Sequence, residues 1–232
     1  MAKITERIAP SGNAALLARL PMFAGTPRAQ LAALARHAET RHAAPGSLIA
    51  RRGARLPGLM IVHYGLVKLT LKGEAERVLR LAGAGETFGE AALFLDEPLP
   101  VDVTAVADTG LVVVPAAPLL ELFDGNPRFA RGLLASVCHR LQALVADFEA
   151  ATAHGARERL AAYLGSLGAD TACLPAPKSV IASRLGMTKE TLSRLLRAFI
   201  DEGLIAVANR EVRLLDRARL ADAARASASS RA

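Results

Sequence analysis

The chain has 232 residues, 52% of them hydrophobic, which is enough for one large or two modest domains with their own cores. Aromatic residues are 4% and Trp is absent, so leucine, valine and alanine must build those cores. Two distant cysteines, Cys138 and Cys173, exclude a four-thiolate zinc or iron–sulfur site within one chain and suit a reducing compartment.

The opening MAKITERIAP lacks the apolar stretch of a signal peptide. No run of about 18 apolar residues offers a membrane span. The nearest one, Leu111 to Phe123, is broken by Pro115 and Pro118. A cytoplasmic protein without a membrane partner is expected.

Residues 1–20 read as a weakly helical arm. Thr26-Pro27 predicts a helix start, an N-cap followed by proline, for a helix through Leu31, Leu34 and Ala35. From Pro45-Gly46 to about residue 115 the texture changes to short β-rich runs between glycine turns: Leu59–His63, Gly65–Leu71, Val78–Leu81, Val101–Val106 and Leu111–Val114. Strands of this length and spacing predict an antiparallel sandwich or roll, and residues 21–125 are assigned to it.

A long helix is predicted over 126–153. Leu134, Leu141 and Phe148 recur every seven residues, with Ala130, Val137 and Leu144 between them. This is the a/d seam by which two helices pack as a coiled coil, and it marks Leu134, Val137, Leu141, Leu144 and Phe148 as a dimer interface. The competing reading is an amphipathic helix lying on its own roll. Cys138 and Val145 widen the apolar face enough for both.

His154-Gly155 breaks the pattern and is read as a hinge to a last domain, 154–232. That segment carries 13 Lys and Arg against 8 Asp and Glu, while residues 1–153 carry 16 against 14. The positive excess is therefore concentrated where phosphate attraction would use it. A helix over 157–167 precedes the punctuation Pro175/Pro177. Ile205–Val207 and Val212–Leu215 read as a β-hairpin wing, 216–226 as a short helix, and ASASSRA as a disordered tail.

Between helix and wing, KSVIASRLGMTKETLSRLLR (178–197) reads as a helix-turn-helix. Ala182 permits a close crossing and Gly186 the turn. Ile181, Leu185, Met187, Leu192 and Leu195 form the expected shared core, and Thr188 caps the second helix. That helix has two stripes at helical spacing: Leu192, Leu195, Leu196 and Phe199, and opposite them Glu190, Ser193, Arg194 and Arg197. A helix docked in the DNA major groove needs one face to hold it and one to read. Arg194 can fork onto guanine, Glu190 can accept from cytosine N4, and Ser193 is small enough to meet a base edge. Lys178, Thr188, Lys189, Arg197 and Arg210 are assigned to phosphate. The plainer alternative for Glu190 and Arg194 is a surface i,i+4 ion pair. Cys138 and His139, adjacent on a helix, point about 100° apart and make no catalytic dyad. There is no phosphate-binding glycine loop or paired-carboxylate motif, so an enzyme is not expected.

The chain resembles the CRP/FNR family of transcription regulators over nearly its whole length. The likeness rests on Pro45-Gly46…Gly53…Gly65, on GETFGEAALFLDEP (85–98), on the long helix and on ETLSR (190–194), which is similar to the FNR-type E-x-x-S-R. The resemblance implies an α+β fold: a β-roll like that of cyclic-nucleotide-binding domains, a dimerisation helix and a winged helix-turn-helix. It implies a palindrome of TTGAT-like half-sites read by Glu190, Ser193 and Arg194. The expected partners are double-stranded DNA, a second copy and RNA polymerase.

Gly89-Glu90 match the start of the family's phosphate cassette. The cassette then needs an Arg followed by Ser or Thr, and this chain has Pro100-Val101-Asp102. Asp102 would repel a phosphate, so cyclic AMP is not expected. The cysteine cluster of the oxygen-sensing branch is missing. FGEAALFLDEP, MTKETLSRLL, IDEGLI and LLDRARL are similar to nitric-oxide-responsive denitrification regulators, a branch associated with haem between roll and dimer helix. That resemblance makes haem a candidate cofactor, with His63, His139, His37 and His42 as candidate axial ligands. RLPMF, where that branch would carry histidine, has none. The expected effector pocket comprises His63, Gly89, Glu90 and His139, with no metal assigned. Two alternatives stay open: a regulatory module acting on a protein partner, and a DNA binder of this fold that needs no ligand.

Overall fold

The computed structural model describes residues 10–73, 76–153, 155–168 and 170–225. His154 and the tail 226–232 lie outside the described residues. The chain divides into two compact units, Met1–Leu141 and Gln142–Ala232. The division falls inside the long helix rather than at residue 154.

The first unit contains α1 (Pro10–Arg19), a 3-10 turn at Pro21–Phe23, α2 (Arg28–His37), β1 (Glu39–Ala43), β2 (Leu48–Ala50), β3 (Gly58–Tyr64), β4 (Leu66–Lys72), β5 (Glu76–Gly83), β6 (Thr87–Phe88), α3 (Glu90–Phe94), β7 (Asp102–Ala105), β8 (Thr109–Pro115) and α4 (Ala116–Gly125). Two four-stranded sheets, in the orders β1-β8-β3-β6 and β2-β7-β4-β5, pair antiparallel throughout. Strand β3 shows how the layers are set. Met60 and Val62 face the second sheet in a core with Val67, Ala82, Phe88, Val103 and Leu111. Leu59 and Ile61, on the opposite pleat, pack in a second core with Leu17, Leu31, Leu119 and Phe129 from the helices. A strand buried on both faces reads as a continuous apolar run, which is why Leu59–Val62 does not alternate.

One local expectation is corrected. Thr26 is not a helix cap: α2 begins at Arg28, and the Thr26 hydroxyl is buried without a hydrogen-bond partner. The segment read as a weakly helical arm is helical over Pro10–Arg19, and Leu17 and Leu20 are buried in the helix-side core. Strands β1, β2 and β6 and helices α3 and α4 extend the predicted set; the short ones carry too few residues to show a period.

The long helix α5 spans Pro127–Ala153. Asn126 starts it, with Oδ1 accepting from the backbone N–H of Arg128 (3.0 Å) and Phe129 (3.1 Å). Its Nδ2 donates to Gln30 Oε1 at 2.7 Å, tying the helix start to α2. Phe129 and Leu133 are buried on the first unit. Leu134 (61% exposed), Val137 (40%), Leu141 (59%), Leu144 (54%) and Phe148 (67%) line a separate stripe in solvent. The reading of the seam as the face packed on the helix's own roll is thereby corrected: Phe129 and Leu133 serve that purpose.

The second unit adds α6 (Ala156–Ser166), β9 (Thr171–Cys173), α7 (Lys178–Arg184), α8 (Lys189–Asp201), β10 (Ile205–Ala208), β11 (Glu211–Leu214) and α9 (Arg217–Arg225). Its sheet runs β10-β11-β9, so the wing has a third strand beyond the predicted hairpin. No helix among the described residues is long and apolar enough to cross a membrane.

Candidate nucleic-acid interface and effector pocket

Helix α8 is held by its apolar stripe. Leu192, Leu196 and Phe199 are buried with Ile181 and Ala182 of α7. Leu195, Leu185 and Met187, predicted for that core, are half-buried at its edge, and Leu196 takes the central place. Gly186 makes the turn at φ +63, a left-handed conformation that glycine adopts without cost. Arg159 of α6 braces the turn from below, its Nε donating to Leu185 O (2.9 Å) and its terminal nitrogen to Gly186 O (3.4 Å). At the far end of α8, Arg157 lies 4.7 Å from the Phe199 ring centroid and pairs with Glu202 at 2.5 Å.

The reading face is free of this framework. Glu190, Ser193, Arg194 and Arg197 are all exposed along one side of α8, with Lys189 beside them. No Glu190–Arg194 ion pair forms. Its own backbone N–H first, then the nearby Thr188 hydroxyl, hold the Glu190 carboxyl below the usual carboxylate range. Thr188 Oγ1 also accepts from Thr191 N at 3.2 Å, as a helix cap should. Lys178 is half-buried at the start of α7. Arg210 is already engaged: it donates to Leu174 O at 2.8 Å, and Leu174 N donates to Arg210 O at 2.7 Å, which closes the third strand onto the wing.

In the first unit a polar cluster gathers where α5 meets the roll. Gly89 has φ +96, and a Cβ there would fall 2.6 Å from Leu56 Cδ1, so only glycine fits. Glu90 follows, buried, accepting from the Thr87 hydroxyl. Arg140 reaches in from α5. One terminal nitrogen donates to Thr87 Oγ1 (3.0 Å) and Ser136 Oγ (3.2 Å), and the other lies 2.9 Å from Glu90 Oε1. That second nitrogen is buried and has the charge contact but no well-aligned hydrogen bond. Burial pushes the Arg140 guanidinium down, against the pull of Glu90. Arg80, paired to Glu86 at 3.2 Å, adds like charge nearby.

Arg140 was missed from sequence, although a signal existed: it sits seven residues after Leu133, on the line of α5 that faces the unit. Glu90→Gln removes the counter-charge of a mostly buried guanidinium. We expect it to cost about 2–3 kcal/mol of stability in urea unfolding followed by circular dichroism. Most of this loss should return in the Glu90→Gln/Arg140→Met double variant. Equal losses from the double and single variants would mean that the pair is not coupled.

The residue matches follow the same division. The cyclic nucleotide-binding domain model matches residues 40–126, and the Crp-like helix-turn-helix domain model matches residues 158–223. The cyclic AMP receptor protein of Thermus thermophilus is 30% identical over 189 residues, covering 80% of this chain and 88% of that protein. The chain belongs to the CRP/FNR family of transcription regulators. A CRP-like cAMP-activated global transcriptional regulator of Mycobacterium tuberculosis is 25% identical over 221 residues, covering 90% of this chain and 99% of that one. The structure of FixK2 from Bradyrhizobium japonicum shares the fold, with a TM-score of 0.72 at 22% identity over 80% of this chain and 96% of that chain.

Within the CRP/FNR fold two readings of the pocket change. Asp102 is buried, but its carboxylate is bonded by the chain itself. Val103, its neighbour on β7, lies in the inner core, so Asp102 is on the outer pleat, where it accepts from Arg52 N (2.7 Å) and Lys72 Nζ (3.0 Å). Those bonds, the Arg52 N–H first, hold its carboxyl below the usual range. Asp102 therefore does not repel a ligand in the roll; what the cassette lacks is its arginine, at Pro100 and Val101.

His139 is likewise outside the pocket. It is exposed on α5, roughly 100° round the helix from Arg140. His37 is exposed, and His42 pairs with Asp108 at 2.5 Å. His63 sits half-buried where the β3–β8 pairing slips, its Nδ1 buried without a partner and its ring edge-on to Tyr64. Among the described residues no three His, Cys, Asp or Glu side chains gather to hold a metal. His37, His42, His63 and His139 do not gather at one place.

Proposed function

We propose that the protein is a homodimeric transcription regulator that reads a palindrome of TTGAT-like half-sites with Glu190, Ser193 and Arg194. The observation that carries this reading is the exposed polar stripe on α8, backed by an apolar one in which Leu192, Leu196 and Phe199 are buried. Lys178, Lys189 and Arg197 contact phosphate, with Arg210 contributing through the wing. The solvent-facing seam on α5 pairs with its copy, which matches the two-fold symmetry of a palindrome. DNA, a second copy and RNA polymerase, in the cytoplasm, are its partners.

The roll takes a small polar effector at Glu90 and Arg140. A buried Arg140 nitrogen without an aligned acceptor favours a ligand bearing a carbonyl or oxyanion. Cyclic AMP is disfavoured by Pro100-Val101, and haem by the scattered histidines. Because α5 carries both Arg140 and the seam, a ligand that moves Arg140 can shift the dimer and re-aim the reading helices.

Four phosphate-contacting cations per subunit, eight in a dimer, predict that log K falls with log[salt] with a slope of about −7. Fluorescence anisotropy with a TTGAT palindrome and a scrambled duplex measures both slope and preference. A flat salt response and no preference would instead make this a module that acts on a protein partner.

A further inference from the structure

Helix α8 is gripped at both ends by arginines of one neighbour, α6. Arg157 and Arg159 are half-buried and flank Leu160, which is buried. Arg159 reaches the turn in front of α8, its Nε donating to Leu185 O (2.9 Å) and its terminal nitrogen to Gly186 O (3.4 Å). Arg157 reaches the opposite end, 4.7 Å from the Phe199 ring centroid and 2.5 Å from Glu202, the residue that closes the helix.

The two carbonyls that Arg159 holds belong to the peptide groups on either side of the Gly186 Cα. Each peptide group is planar, so the angle between those planes is set by φ and ψ of Gly186 alone. Gly186 permits the turn at φ +63, but glycine has the widest backbone freedom of any residue and cannot hold one value by itself. A rigid guanidinium fork bonded to both planes supplies the missing constraint. Carbonyls beyond a helix end have no partner within that helix, and a cation there also suits the negative end of α7.

Glu190, Ser193 and Arg194 all follow Gly186 within eight residues, in the first two turns of α8. A shift of the turn by about 1 Å would carry these three side chains with it, and a binding constellation tolerates only about 0.5 Å. At the far end of a helix about 20 Å long, the Arg157–Glu202 pair keeps α8 from pivoting.

We propose that Arg159 and Arg157 are positioning residues for sequence recognition: Arg159 fixes the turn before α8, Arg157 fixes its far end, and together they set base preference across the half-site without touching DNA. This rests on the reading of α8 as the base-reading helix given above.

The experiment uses the full-length protein, with a TTGAT palindrome, a scrambled duplex and duplexes carrying each base pair at every half-site position, all followed by anisotropy well below the melting temperature. Arg159→Lys keeps the charge but cannot bond both carbonyls as a fork. It should keep the salt slope and the affinity for scrambled DNA, while the ratio of cognate to scrambled affinity falls about tenfold, with preference flattened at several positions at once. Glu202→Gln releases the far end without removing a cation, and should lower the same ratio by about threefold. Leu220→Val, in the buried core of the same unit, controls for lost stability: it should lower the melting temperature and leave the ratio unchanged.

A ratio in Arg159→Lys that falls no further than in Leu220→Val overturns the proposal, because the bonds would then only stabilise the fold. Equal weakening on cognate and scrambled DNA also overturns it and makes Arg159 a phosphate contact. Arg194→Ala keeps the two failures apart. If it leaves the ratio unchanged, α8 is not the reader and this inference falls with that reading. If it collapses the ratio while Arg159→Lys and Glu202→Gln do not, only the inference fails.

Discussion

Replacing Leu134 and Leu141 together with aspartate should turn the protein into a folded monomer that no longer binds a palindrome tightly. Both side chains stand in solvent on the described subunit, 61% and 59% exposed. Each leucine buried in an interface contributes roughly 1.5–3 kcal/mol. Two positions in two subunits therefore contribute roughly 6–12 kcal/mol, against an association cost of about 4–15 kcal/mol. Few interfaces survive a loss of that size, and four buried aspartates add a desolvation penalty. Sedimentation equilibrium at micromolar concentration should show a single subunit mass, and affinity for the palindrome should fall at least a hundredfold as the second half-site stops contributing. Binding to an isolated half-site should persist. The circular dichroism spectrum and melting profile of each unit should be retained, because neither leucine belongs to a core within the subunit. If stability collapsed while the mass stayed that of a dimer, the seam would be packed within the chain and the dimer face would lie elsewhere.

The seam was legible in the sequence because it is a long periodic signal: five side chains at fixed spacing over a 27-residue helix. The same holds for α8, where two opposed stripes left little choice of orientation, and for the apolar runs of β3 and β8. What escaped was short or relational. Strand β9 has three residues, and it becomes a strand only by pairing with β11, with Cys173 opposite Glu211 and Thr171 opposite Arg213. The sequence did not show that the Asp102 carboxylate is taken up by Arg52 N and Lys72 Nζ, since a single residue of offset within a four-residue strand decides which way a side chain points. Arg140 is the clearest case. A lone arginine in a polar helix looks like a solvated residue, and only the arrival of Glu90 and Thr87 from another part of the chain turns it into part of a site.

Histidines are hard to read for a related reason. Their chemistry suits many ligands, but a ligand set is a property of convergence, and His63, His139, His37 and His42 were four residues with no shared periodicity. The polar cluster around Glu90 has that convergence, with donors and acceptors drawn from β6, α3 and α5. Helix α5 is thus asked to do three things along separate lines of its surface: pack on the roll through Phe129 and Leu133, present Arg140 to Glu90, and expose the seam. Further on, within the second unit, Asp147 pairs with Arg184 of α7 at 3.3 Å.

Arg194→Ala should cost about 1–3 kcal/mol per half-site, hence about 2–6 kcal/mol on a palindrome, or roughly thirty-fold to twenty-thousand-fold in affinity. Arg194 is exposed on the reading face, and its guanidinium is available for the two parallel bonds that guanine O6 and N7 accept. Charge alone would predict a smaller and different loss. A phosphate contact removed from each subunit would lower affinity for every duplex alike and make the salt slope shallower by about 1 per subunit. Arg194→Lys separates the two roles. Lysine keeps the positive charge but not the planar fork, so a base-reading arginine replaced by lysine should keep the salt slope and the affinity for scrambled DNA while losing preference at one guanine. A phosphate-binding arginine replaced by lysine should lose almost nothing. The decisive measurement is therefore a ratio, cognate over scrambled affinity at two salt concentrations. If Arg194→Lys preserved that ratio, Arg194 would be an anchor, and the discrimination would have to come from Glu190 and Ser193. If it collapsed while binding to scrambled DNA held, Arg194 would be the main reader, with Glu190 refining the neighbouring base pair.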